Sequence, residues 1–167
     1  MASINSILKD VILKIKPSKE ELKIMNDLIN DFVGSIDTKI KELKIDVEIF
    51  VGGSFAKKTV IKKDYYDVDI FLRFDKKYND EVSELTEKIL AGIENVSLIH
   101  GSRDYFKIKL EDNILVELIP VVKIKKPEES LNITDLSYSH VKYINKKIKA
   151  DQIRDEIMIA KAFCYAN

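Results

Sequence analysis

The sequence has one cysteine, Cys164, in 167 residues. That excludes an internal disulfide framework and a thiolate zinc site, and it fits a reducing compartment inside the cell, the cytoplasm. Histidine is nearly as scarce, with only His100 and His140, so metal chemistry built on imidazole is not expected. No apolar run approaches the length of a bilayer-spanning helix, so no membrane role is expected. The opening "MASINSILKDVILKIK" mixes acid and lysine into a mildly apolar stretch. It reads as a short amphipathic helix, not a signal peptide. Internal repeats and low-complexity segments are absent. Net charge is absent too: 28 Lys and Arg balance 28 Asp and Glu. An anionic partner would therefore have to meet locally segregated charge.

What is present is a sequence suited to one soluble domain, or slightly more, with 46% hydrophobic residues for a core. Ser18 and Glu21 have capping-box spacing at the start of a helix running to about Leu43. Leu22, Met25, Ile29, Phe32 and Ile36 form its apolar stripe. "DVEIFVGG" alternates as a strand and halts at Gly52-Gly53, and "SFAKKTV" reads as a helical turn starting at Ser54. "DVDIFLRF" is a strand rich in Val, Ile and Phe. "NDEVSELTEKILAGI" is an amphipathic helix with Val82, Leu85, Ile89 and Ile93 on one face. "VSLIHG", "DYFKIKLED" and "NILVELIPVVKI" are three further strands, with Asp112-Asn113 as a hairpin turn between the last two. "LSYSHVKYINKKIK" and "DQIRDEIMIAKAFCYAN" close the chain as helices. The expected class is α+β, a mixed sheet covered by helices. The last helix halts at Asn167 while still apolar, which suggests a chain cut there or completed by another chain.

Chemistry concentrates in "VGGSFAKKTVIKKDYYDVDIFLRF". Asp67 and Asp69, two apart in a strand, point to the same face. Two neighbouring anions in a partly dry site repel unless a cation lies between them, and hard oxygen ligands select magnesium or manganese. The plainer alternative is a pair of exposed aspartates at a strand edge. Just upstream, Gly52-Gly53-Ser54 offers backbone amides and a hydroxyl to a phosphate, or is simply a turn. Lys57, Lys58, Lys62 and Lys63 lie between the two elements, either to neutralise phosphate or as a solvated face. Glu117 is the one acid in the apolar "NILVELIPVV". It either shares a metal with the aspartates or pairs with a lysine at a sheet edge.

The order Gly-Ser, Asp-x-Asp, then a distant third acid resembles the DNA polymerase beta-like nucleotidyltransferase superfamily. The block from Gly52 to Phe74 is similar to that of archaeal (class I) CCA-adding enzymes, with Phe55 in place of the family tyrosine and Lys57 in place of its arginine. "ILVELIPVVKI" resembles the family's third-acid strand, with Glu117 where the family has Asp. His140, Tyr143, Arg154, Glu156, Lys161 and Phe163 keep the register of a later family segment. The resemblance runs from about Val47 to Asn167. It implies a mixed sheet with helices packed on it. It also implies two Mg2+ ions, or Mn2+, held by Asp67, Asp69 and Glu117. One would activate an attacking hydroxyl, and the other would bind the triphosphate and stabilise departing pyrophosphate. Ser54 and Lys57, beside Gly53, would touch the triphosphate. His140 and Lys161 would bind nucleotide phosphate or ribose. Lys161 is also the only charge in "IMIAKAF", which suits either a fixed anion or an ammonium reaching water. Lys142, Lys146, Lys147 and Lys149 form a basic stretch without an acid, suited to a nucleic-acid backbone or to solvent.

By that resemblance, residues 1–136 are a catalytic head and 137–167 begin a helical nucleotide-binding domain that is incomplete. The activity expected is CCA addition: transfer of CMP and AMP from CTP and ATP to the tRNA 3′ end, by a fragment or by a subunit needing separate partner chains. A minimal nucleotidyltransferase or an oligonucleotide synthase with another acceptor is the second reading. A non-catalytic scaffold module is the third.

Overall fold

The computed structural model describes residues 3–111 and 113–166. The opening segment forms helix α1 (Ile4–Ile15), with the Ser3 hydroxyl accepting from the Ser6 amide. Helix α2 (Lys19–Leu43) starts on the expected capping box. The Ser18 hydroxyl accepts from the Glu21 amide at 3.1 Å, and the Glu21 carboxylate accepts from the Ser18 amide at 2.6 Å. Met25, Ile29, Phe32, Ile36 and Ile40 are its buried stripe, while Leu22 at the first turn stays open.

Five strands follow: β1 (Val47–Val51), β2 (Tyr66–Phe74), β3 (Val96–Ile99), β4 (Tyr105–Lys109) and β5 (Ile114–Val122). Their order in the sheet is β1-β2-β5-β4-β3. The central pair, β2 and β5, is parallel, and the other pairings are antiparallel. Helix α3 (Gly53–Ala56) follows β1, and α4 (Val82–Leu90) lies in the crossover between β2 and β5. Helix α4 is shorter than the periodicity suggested, and Ile93 lies beyond its end. The expected turn at Asp112-Asn113 falls partly outside the described residues. Asn113 has a left-handed φ of 60°, as a turn residue does. Helices α5 (Ser137–Lys147) and α6 (Asp151–Ala166) follow, and the reading made at Asn167 also lies outside the described residues.

The two central strands divide the sheet into unlike faces. Val68, Ile70, Leu72 and Phe74 of β2 and Ile114, Val116, Leu118 and Val122 of β5 are buried in one core with the α2 stripe and with Val82, Ile89 and Leu90 of α4. Each such side chain contributes about 1.5–3 kcal/mol by leaving water. Alternation turns the remaining positions, among them Asp67, Asp69 and Glu117, to the opposite face. Pro120 is tolerated in a central strand because β4 has ended there. The last β4 partner on that side is Phe106, opposite Leu118, and the Arg103 guanidinium reaches the Pro120 carbonyl at 3.4 Å.

Beyond β5 the chain is tied down by Asp135, which is 3% exposed. Its carboxylate accepts from the Val122, Leu131 and Asn132 amides and lies 3.0 Å from the Arg103 guanidinium. Helix α6 packs on α1, with Lys16 and Asp155 paired at 2.7 Å.

Candidate active site

Strand β2 presents Asp67 and Asp69 on the face away from the core, and the parallel register sets Asp69 opposite Glu117 of β5. Strand β4 continues the row by setting Lys107 opposite Glu117. Three neighbouring strands thus carry Asp69, Glu117 and Lys107 side by side. Glu117 belongs to a central strand, not to an edge.

Over this row lies the Gly52-Gly53-Ser54 turn. The Gly52 amide donates to the Asp69 carbonyl at 2.8 Å, so the turn is fastened to the strand at the aspartate itself. Gly53 has φ of +57°, and a Cβ there would overlap the Asp69 carboxylate. Only glycine lets the turn lie so close. The turn is braced from behind by Asn145 of α5, whose side-chain amide donates to the Ala56 carbonyl at 3.0 Å.

The enclosed space is a cleft of about 490 Å³. Gly53, Ser54, Lys57, Asp67, Asp69, Glu117 and Lys161, seven of the eight residues to which the resemblance assigns a metal or nucleotide role, line it together. His140 does not; it is exposed on α5, away from the lining. The sequence reading missed Lys107, Tyr66 and Tyr165, which also line the cleft. A larger groove of about 790 Å³ between the start of α2, α3 and α6 contains none of the strand acids. Its own carboxylates, Asp151 and Asp155, are paired with Arg154 and Lys16.

Charge in the cleft is arranged in pairs. Lys63 holds Asp67 at 3.1 Å, and Lys107 holds Glu117 at 3.2 Å. Burial, then the charge of Glu117, pushes the Asp69 carboxyl up; Lys57 opposes this and Asp67 adds to it. Lys63 also stands 4.0 Å over the Tyr165 ring. Burial pulls its ammonium down, but Tyr165 and Asp67 outweigh burial and hold it up. Lys161 donates to the Thr59 carbonyl at 2.9 Å. Burial, then the charges of Lys63 and Lys57, pulls its ammonium down, so an added anion would be welcome beside it.

Among the described residues no three acidic, imidazole or thiol side chains stand close enough to cage an ion as they are placed. The donor set still fits a hard divalent cation. It is all carboxylate oxygen, it shares one face, and its central member is disfavoured as an anion by burial and by both acidic neighbours. A cation would relieve that repulsion. The lysines, in turn, suit the phosphates of a ligand that such a cation would share.

No family model matches the sequence. Among curated proteins, the chain is 31% identical over 170 residues to the CCA-adding enzyme of Methanocaldococcus jannaschii, a match covering 96% of this chain and 37% of that enzyme. It is 42% identical over 105 residues to the CCA-adding enzyme of Nanoarchaeum equitans, covering 61% of this chain and 26% of that one. The chain thus spans about a third of the length of these relatives. Among solved structures, a chain of a GLD-2/RNP-8 complex superposes with a TM-score of 0.69 at 16% identity, over 97% of this chain and 60% of that chain. The E. coli MS115-1 CdnC structure with ATP gives 0.68 at 13% identity, over 96% and 57%. A shared fold at such low identity agrees with the five-stranded mixed sheet and its helical cover. This chain is a sequence relative of the archaeal CCA-adding enzymes, built on the polymerase beta-like nucleotidyltransferase fold.

Proposed function

We propose that the chain carries the catalytic face of a metal-dependent nucleotidyltransferase that adds CMP and AMP, from CTP and ATP, to the 3′ end of tRNA. The observation that carries this reading is the alignment of Asp69 with Glu117 across parallel strands, with Asp67 on the same face and the Gly53-Ser54 turn pressed against Asp69. The name of its relatives, CCA-adding enzymes, supports the choice of acceptor and nucleotides.

In this reading Asp67, Asp69 and Glu117 would hold two divalent ions, Mg2+ or Mn2+. Such ions, when bound, supply Lewis-acid stabilisation of an alkoxide nucleophile and of the phosphate charge. Ser54 and Lys57 orient the triphosphate from the turn, and Lys161 meets its charge from α6. Glu117 lies toward the attacking 3′-hydroxyl. That oxygen forms a bond to the α-phosphorus as the bond to pyrophosphate breaks, and the hydroxyl proton passes to solvent or to a carboxylate. In this reading residues 1–136 are the catalytic head, and 137–167, with α5 and α6, begin a helical nucleotide-binding region. The remaining two thirds of the relatives' length would be supplied by separate chains or by a longer form of this one.

The test is incubation with radiolabelled CTP or ATP, Mg2+ and a tRNA lacking its terminal triplet. Transfer of label to the tRNA, lost in Asp69→Ala, is expected. Label on protein, or a small cyclic product, would instead identify a different acceptor. Transfer undiminished by Asp69→Ala would refute the assignment of the cleft.

A further inference from the structure

Two of the three strand carboxylates are already engaged. Asp67 is held by Lys63 and Glu117 by Lys107, while Asp69 between them has its burial opposed by Lys57 only through space. Neither pair is incidental to the fold. The β4–β5 register places Lys107 opposite Glu117, and Lys63 is positioned by the Tyr165 ring as well as by Asp67. Both lysines line the same cleft as Lys57 and Lys161, so four ammonium groups surround three carboxylates.

We propose that Lys63 and Lys107 are built-in counter-cations of the carboxylate row, which a divalent ion must displace and which, once displaced, hold the phosphates of the nucleotide. The inference deepens the nucleotidyltransferase reading of this cleft and rests on it. Its physical content is competition. An ammonium beside a carboxylate offsets the repulsion within the row, so an arriving ion gains less there than it would at bare carboxylates. A triphosphate reverses the balance, because it gives the released ammonium groups a better anion than the one they leave. Metal and nucleotide then favour each other's binding through the same two side chains. Lys107 and Lys63 thus partner Glu117 and Asp67 before the ion arrives and the nucleotide phosphates after it. Tyr165, under Lys63, connects that exchange to helix α6.

The experiment is titration of the full chain with Mn2+, followed by the loss of the free-ion paramagnetic resonance signal, with and without α,β-methylene-ATP. Without nucleotide, Lys107→Met is expected to bind Mn2+ about fivefold more tightly than the wild type, the upper range for an exposed ion pair. Lys63→Met should shift in the same direction, and Lys107→Arg should match the wild type. With α,β-methylene-ATP present, the advantage of Lys107→Met should vanish and its nucleotide affinity should fall. Unchanged or weaker Mn2+ binding by both methionine variants without nucleotide overturns the proposal while leaving the carboxylate site standing. Mn2+ binding that survives Asp69→Asn combined with Glu117→Gln, or that is missing from the wild type, overturns the reading of the cleft itself.

Discussion

Asp69 shows how one residue can serve a site at the expense of the fold. Burial and two acidic neighbours push its carboxyl up, so its ionised form strains the metal-free protein. Asp69→Asn removes the charge and nearly keeps the shape. It should therefore raise the stability of the metal-free chain, read as a higher Tm, while abolishing nucleotidyl transfer. Lower stability in the variant would mean that the repulsion is already relieved. Asp67 and Asp69 were legible in the sequence because two acids at strand spacing interrupt an apolar run. Lys107 was not. In "DYFKIKLED" it alternates with Phe106 and Ile108 as any solvent-facing lysine would, and only its pairing opposite Glu117 gives it a part. His140 illustrates the reverse. Its place in a motif singled it out, yet the turn of α5 leaves it exposed outside the cleft.

At the scale of elements, the junction between β1 and β2 governs the site. Gly53→Ala would combine a positive φ with overlap on the Asp69 carboxylate. The expected cost is about 1–2 kcal/mol of stability together with loss of transfer activity, since the turn can move only away from the carboxylates. Thermal melts and the tRNA labelling assay read the two effects separately. Helix α2 offers a prediction in acid. Backbone and side-chain hydrogen bonds from Ser18, then Lys62, hold the Glu21 carboxyl at about 2 instead of its ordinary 4.5. Because the folded value is depressed, its stabilisation is complete above pH 4.5 and is lost as the pH falls through about 2. Glu21 is partly exposed, so the effect is held to no more than about 1 kcal/mol. The Tm difference between the wild type and Glu21→Gln should be constant near neutrality and close as the pH approaches 2. The start of α2 was legible because capping is local chemistry. The α4 boundary was less so, because Ile93 fits the helical period yet lies past the turn at Gly92, where φ is +89°.

At the scale of the whole molecule, Asp135 joins segments that the sequence keeps far apart. Its carboxylate binds amides of β5 and of the following loop and pairs with Arg103 before β4. Asp135→Ala would leave that guanidinium, 13% exposed, without its anion and three amides without an acceptor. A loss of about 3–5 kcal/mol is expected, measured by denaturant unfolding. Nothing in "LNITDLSYSH" marked this aspartate, because a capping acid and a buried anchor look alike until the chain is folded. Sheet order was hidden for the same reason. Five strands could be named one by one, but hydrophobic alternation does not say which strand lies beside which.

The parallel pairing of β2 with β5 bears on how the chain folds. Those strands meet only after everything from Asp75 to Asn113 has been looped out, including α4 and the β3–β4 hairpin. Closing so wide a loop is an entropic toll levied before the contacts that reward it, and such non-local pairing is the slow part of collapse. Asp69 and Glu117 are therefore expected among the last neighbours to meet, with the cleft closing after the local helices and the β3–β4 hairpin have formed.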